Sequence, residues 1–216
     1  MIWRGSAGDD TLGSLKTVMK ALVSPQLPRS GRPARVAVKA GCLTATPRLL
    51  PKLPKVNPRL LKPKGEIWTD SELLALGANT DVKYELWNGK VIAMPPAGLK
   101  HGVVITRLTA YLGIYVLQHK LGELADGQSG FRISIEHCYE PDIAFISRER
   151  LKLLPPISDK IFHGSPDLAV EVLSPSDSIT RTERKMQNYL SFGARLAWMV
   201  DAKNKTVRVY RPGAEF

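Results

Sequence analysis

Only two cysteines, Cys42 and Cys138, occur in the 216 residues. That excludes a disulfide-stapled scaffold and a cysteine-ligated zinc site, and it fits a reducing compartment such as the cytoplasm. Any metal must then be held by oxygen. Long apolar runs are missing as well. The longest uncharged apolar stretches, such as Leu112 to Leu117, fall far short of the ~20 residues that a membrane-spanning helix needs, so no membrane partner is expected. Also absent are GxGxxG, a Walker-type GxxxxGK, HExxH and GxSxG. Dinucleotide, nucleoside-triphosphate, zincin and serine-hydrolase chemistries therefore have no support. Gly127-Gln128-Ser129-Gly130 has the wrong spacing for a nucleophile elbow, and His137-Cys138 has no second ligand pair, so both are expected to be strand-end or turn residues.

Acids and aromatics are scarce in the first third. Residues 1–65 hold thirteen Lys/Arg against Asp9 and Asp10, a surplus of +11, while 66–216 are balanced at eighteen of each sign. The same third carries eight of the sixteen prolines but only one aromatic, Trp3. With little to bury and much to interrupt regular structure, 1–65 reads as a disordered basic tail and 66–216 as the folded domain. Leu12, Leu15, Met19 and Leu22 share one face of a possible short helix. The early acids and the lack of a continuous apolar segment favour a solvated arm or an upstream extension over a targeting peptide. Such an arm would add weak, salt-sensitive affinity for nucleic acid.

From residue 66 the pattern is that of an α/β (α+β) domain. Thr69-Asp70-Ser71-Glu72 ahead of Leu73, Leu74 and Leu76 predicts a capped short helix. Residues 84–87 and 90–94 flank Asn88-Gly89, the pair that best tolerates a tight hairpin turn. Val104, Leu108, Tyr111, Leu112, Tyr115 and Val116 recur at helical spacing and predict a helix over 101–119. Residues 131–135 alternate like a strand, and 143–146 and 168–173 are near-continuous apolar runs of the kind covered on both faces. A helix over 178–192 and strands at 196–200 and 206–210 complete a mixed sheet flanked by helices.

Carboxylates carry the chemistry. Glu171 stands inside the apolar run Leu168–Leu173, where an ionised group is costly without compensation. A structural arginine such as Arg132 is one answer, and a divalent cation shared with a second carboxylate is the other. Asp167 lies four residues away, roughly 13 Å along a strand, too far to share an ion whose ligands sit ~2.1 Å from it. Asp142 opens a different strand. If the strands are neighbours, ~4.8 Å apart, it can converge with Glu171 on one hard cation.

These residues resemble a known family. Pro141-Asp142, the run Glu171 to Asp177, Lys185 with Tyr189 and Gly193, and Trp198 to Asp201 look like the Uma-two family of restriction-endonuclease-like domains, a branch of the PD-(D/E)XK nuclease superfamily. Tyr84 to Gly89 and His101 add to the match, which runs from about Thr69 to Gly213 and covers nothing of 1–65. The resemblance implies Asp142 and Glu171 as ligands of Mg²⁺ or Mn²⁺ for hydrolysis of DNA phosphodiesters. One position departs from it. Where (D/E)XK has lysine, this chain has Leu173, and Lys185 on the following helix is the nearest replacement, to be weighed against a surface lysine in the basic run Arg181, Arg184, Lys185. Glu85 and His101 are supporting candidates. Asp177 is read as a helix N-cap and Asp201 as a turn residue.

Residues 178–211 carry eight Lys/Arg against Glu183 and Asp201, whereas 66–94 carry two against five acids. Backbone phosphates would thus be met by the Lys185 helix and the final hairpin. The expected partners are DNA and a second copy of the chain. The competing reading is a non-catalytic descendant of the nuclease fold that binds nucleic acid or another macromolecule.

Overall fold

The computed structural model describes residues 59–60, 62, 66–78 and 82–213. Most of the 1–65 segment lies outside the described residues. Its end does not: β1 (Arg59–Leu60) pairs antiparallel with β3 (Lys90–Met94), and Lys62 Nζ donates to Glu72 Oε1 at 2.5 Å. The described domain therefore begins before Glu66.

Helix α1 (Asp70–Ala78) starts with a reciprocal cap, in which the Thr69 N–H donates to Glu72 Oε2 at 2.8 Å and the Glu72 N–H to Thr69 Oγ1 at 3.3 Å. β2 (Lys83–Trp87) turns into β3 through Asn88 and Gly89, both at positive φ (47° and 71°), as their sequence predicts. Helix α2 spans Leu99–His119 and is followed by β4 (Gly122–Asp126), β5 (Phe131–Ser134), β6 (His137–Tyr139) and β7 (Ile143–Ser147). A single turn, α3 (Arg148–Leu151), β8 (Phe162–His163) and β9 (Leu168–Val172) lead to α4 (Ile179–Ser191), β10 (Leu196–Asp201) and β11 (Thr206–Tyr210).

The strands form two sheets where one was expected. The first runs β1-β3-β2-β6-β5-β8 and the second β11-β10-β9-β7-β4. β6 accounts for much of the difference. His137 and Cys138, expected to be exposed strand-end residues, are buried, because β6 bridges β2 and β5 inside the first sheet. Burial pushes the Cys138 thiol up to about 12, so it is no nucleophile.

In the second sheet β9 is central and alternates its faces. Leu168, Val170 and Val172 pack with Leu108 and Leu112 of α2, while Ala169 faces the opposite core with Met186 and Tyr189 of α4. Glu171 follows Ala169 on that second face, because strand side chains alternate. The carboxylate therefore points into the layer that α4 covers. Gly122 opens β4 at φ +155°, and a Cβ there would sit 2.0 Å from the Ile146 carbonyl oxygen, so β4 can pair with β7 at that point only through glycine.

Candidate active site

The antiparallel register pairs Ile143 with Val170, so Asp142 stands one step further on, across from Glu171. Asp142 Oδ2 accepts the Val172 N–H at 2.7 Å. His101, in the first turn of α2, reaches the same place: its Nε2 lies 2.7 Å from the Val172 carbonyl oxygen and 3.3 Å from Asp142 Oδ2. The bond to Asp142, partly offset by burial, raises the His101 pKa above its ordinary value.

The partner of Glu171 is not Arg132. Arg132 pairs with Asp70 and with the Trp68 carbonyl. Glu171 is met from α4 instead, where Lys185 Nζ lies 2.7 Å from its Oε1 and the Tyr189 hydroxyl donates to the same oxygen at 2.9 Å. Lys185 also donates to Glu85 Oε1 at 2.6 Å. Lys185 is only 5% exposed and Glu85 2%, which corrects the surface reading of the helix lysine. The serine–proline break at Ser174-Pro175 turns the chain after β9, and α4 then folds back over the sheet with Lys185, Met186 and Tyr189 inward.

Electrostatics follow from this placement. Burial works against the Glu85 charge, but the Lys185 ammonium and bonds from Lys185, the Trp87 indole N–H (3.0 Å) and the Glu140 backbone N–H (3.0 Å) outweigh it and hold its pKa below the usual value. Glu171 goes the other way. Its burial, with Asp142 and Glu85 nearby, overcomes Lys185 and pushes it up to about 7. One lysine cannot fully compensate two buried carboxylates. Despite its own burial, Lys185 is held above its ordinary pKa by Glu171 and Glu85, so it stays an ammonium.

Asp167, too far along the strand to share an ion with Glu171, holds the structure together instead. It is buried, accepts the Ser147 N–H at 2.7 Å and lies 3.6 Å from Arg195 Nε. Asp177 is not the N-cap. Ser178 takes that role, accepting the Arg181 N–H, while Asp177 accepts the Ser174 N–H at 2.7 Å. Asp201 closes the last turn on Lys203 and Asn204, as its position predicts. Two participants are not assigned by the sequence, the Tyr189 hydroxyl and the Glu140 backbone N–H. The spacing Lys185–Tyr189, one helical turn, could have flagged the first; nothing local could flag a backbone donor.

Could these groups hold a metal? Asp142 Oδ1 and Glu171 Oε2 have no protein hydrogen bond among the described residues, and both side chains retain some exposure (14% and 13%). Both are hard oxygen donors of the kind that Mg²⁺ or Mn²⁺ takes, with water completing the shell. No cluster of three or more His, Cys, Asp or Glu side chains able to hold a metal exists among the described residues. The fit is therefore to a cation that keeps several waters, not to a closed protein cage.

Two mixed sheets flanked by helices place the chain in a nuclease-like fold class. A family model described as "Putative restriction endonuclease", Uma2, matches residues 69–215, and the chain belongs to that family. Among solved structures, it is similar to that of "a putative nuclease belonging to DUF820 from Anabaena variabilis ATCC 29413". The identity is 26% and the TM-score 0.55, over 63% of this chain and 75% of that one. No curated protein matches it.

Proposed function

We propose that the chain is a metal-dependent endonuclease that hydrolyses DNA phosphodiester bonds, with Asp142 and Glu171 as metal ligands and Lys185 as the catalytic cation. The observation that carries this reading is the Lys185 ammonium between Glu85 and Glu171, at 2.6 and 2.7 Å. It supplies from α4 the charge that Leu173 cannot supply from the strand. In hydrolysis a water oxygen bonds to phosphorus as one phosphorus–oxygen ester bond breaks, and negative charge gathers on the phosphoryl oxygens. Lys185 remains protonated, so it serves by stabilising that charge and not as a base. Glu85 fixes the ammonium and Tyr189 fixes the Glu171 carboxylate. His101 orients Asp142 and caps the Val172 carbonyl. A bound Mg²⁺ or Mn²⁺ would acidify water and screen phosphate charge.

The test is cleavage of labelled duplex and single-stranded DNA with Mg²⁺ or Mn²⁺, by wild type and by Asp142→Asn. Metal-dependent cleavage abolished by the substitution supports the reading; failure of the wild type to cleave or to bind Mn²⁺ refutes it. One observation favours the second reading, a non-catalytic nuclease-fold module: Lys185 already compensates much of the acidic charge without a metal. Retained DNA binding with no metal binding would select it.

A further inference from the structure

A groove of about 620 Å³ runs between the β2–β3 turn and the flank of α4, lined by Asn88 and Lys90 on one side and Arg181, Arg184, Gln187 and Asn188 on the other. Its walls contain three cations and no acid. None of the three makes an ion pair among the described residues, and Arg181 instead lies over the Trp87 ring, 4.9 Å from its centroid. Three neighbouring cations without a counter-charge repel one another and are best satisfied by a polyanion. The chain's own first 58 residues are a poor occupant, because Asp9 and Asp10 are their only acids.

The groove also adjoins the candidate active site, since Trp87 of its lining donates to Glu85 Oε2 at 3.0 Å. Trp87 is two residues from Glu85 on β2, ~6.6 Å along the strand. Arg181 is four residues before Lys185, ~6 Å along the helix. That offset is about two base-pair rises of duplex at ~3.4 Å each. The amides of Asn88, Gln187 and Asn188 add neutral donors and acceptors. The charge distribution along the sequence groups the α4 cations with the final hairpin, but Arg208 of that hairpin is spent on Glu183 at 2.6 Å, and Arg195, just ahead of β10, lies against Asp167.

We propose that the groove between the β2–β3 turn and α4 binds the phosphodiester backbone of a nucleic-acid strand adjacent to the Asp142–Glu171–Lys185 site. The proposal rests on the nuclease reading for its choice of ligand, yet the two are tested apart. The probe is a fluorescein-labelled single-stranded DNA oligonucleotide, followed by anisotropy in EDTA so that neither metal nor cleavage contributes. Lys90→Glu with Arg184→Glu should weaken binding at least tenfold and flatten the salt dependence by about 1.4 in log–log slope, two phosphates at ~0.7 each. Lys90→Arg with Arg184→Lys should restore it. The same charge change on the last turn, Lys203→Glu with Lys205→Glu, should stay within about twofold. Equal losses from both reversed pairs would reduce the effect to net charge and overturn the proposal, as would no loss from the groove pair. Displacement of the oligonucleotide by a poly-glutamate peptide of equal charge, at equal concentration, would overturn the assignment to nucleic acid. If wild type and Asp142→Asn bind the oligonucleotide alike in EDTA while wild type, in a separate assay with Mg²⁺ or Mn²⁺ present, does not cleave it, the nuclease reading falls and the groove stands.

Discussion

Lys185 joins the two sheets: its ammonium touches Glu85 on β2 of the first and Glu171 on β9 of the second, at 2.6 and 2.7 Å. One side chain thus serves both packing and the proposed chemistry. A lysine on the helix surface could become methionine without loss of stability, and the burial of Lys185 and Glu85 reverses that expectation. Removing one member of a buried ion cluster leaves charge uncompensated, typically ~3–5 kcal/mol. Lys185→Met should lower the melting temperature markedly and reduce turnover by ~10²–10³-fold. Adding Glu85→Gln should recover part of the stability in thermal melts and none of the turnover. Recovery of both would remove Lys185 from the proposed chemistry.

The fold was legible where local pattern and tertiary environment agree. The Asn88–Gly89 hairpin, α2, the apolar β9 run and α4 lie where spacing puts them, within a residue or two. β4 and β6 were not, for physical reasons. β4 is held to β7 by backbone pairing through Gly122 and shows little apolar periodicity, and three-residue β6 contains a histidine and a cysteine whose burial depends on distant partners. At the site, Asp142 and Glu171 could be singled out because a charge inside an apolar run needs a reason. The inward turn of Lys185 was not readable, because Arg184 and Lys185 are neighbours in one basic run and only the path of α4 decides which is buried.

Asp142 and Asp167 both follow proline, yet they do different work. Asp142→Asn keeps the bond to the Val172 N–H but forfeits a charged ligand, so Mn²⁺ binding by calorimetry should weaken at least tenfold with little change in melting. Asp167→Asn loses charge beside Arg195 and at the buried Ser147 N–H. It should cost ~1–3 kcal/mol of stability and leave Mn²⁺ affinity within about threefold. The reverse pattern would exchange their roles.

Tyr189→Phe deletes one hydroxyl and keeps the ring that packs at 5.5 Å on Tyr139. Glu171 would retain Lys185 and lose one stabilising donor, so stability should fall by about 1 kcal/mol. Mn²⁺ affinity should drop several-fold, chiefly below neutral pH, because the weakened carboxylate is protonated more readily. Unchanged affinity across pH would show that Tyr189 only packs.

Two histidines should titrate in opposite directions. His137 is shielded in β6, its Nδ1 2.9 Å from Ser134 Oγ and its Nε2 2.9 Å from Asn88 Oδ1. Burial lowers its pKa below the ordinary 6.5, with Glu136 acting weakly the other way. The depressed folded value means that His137 contributes stability present above 6.5 and lost as pH falls through the folded pKa. His101 is the mirror case. Its pKa is raised, by the bond to Asp142 above all, so its contribution is complete below 6.5 and disappears as pH rises through the folded value. Histidine ring resonances followed by NMR should place His137 below 6.5 and His101 above it, and His137→Gln should remove part of the loss of stability on acidification. Asp142→Asn should return His101 toward 6.5 and leave His137 where it is. Movement of both together would mean that the two rings share one environment, against the separate partners seen at β6 and at the start of α2.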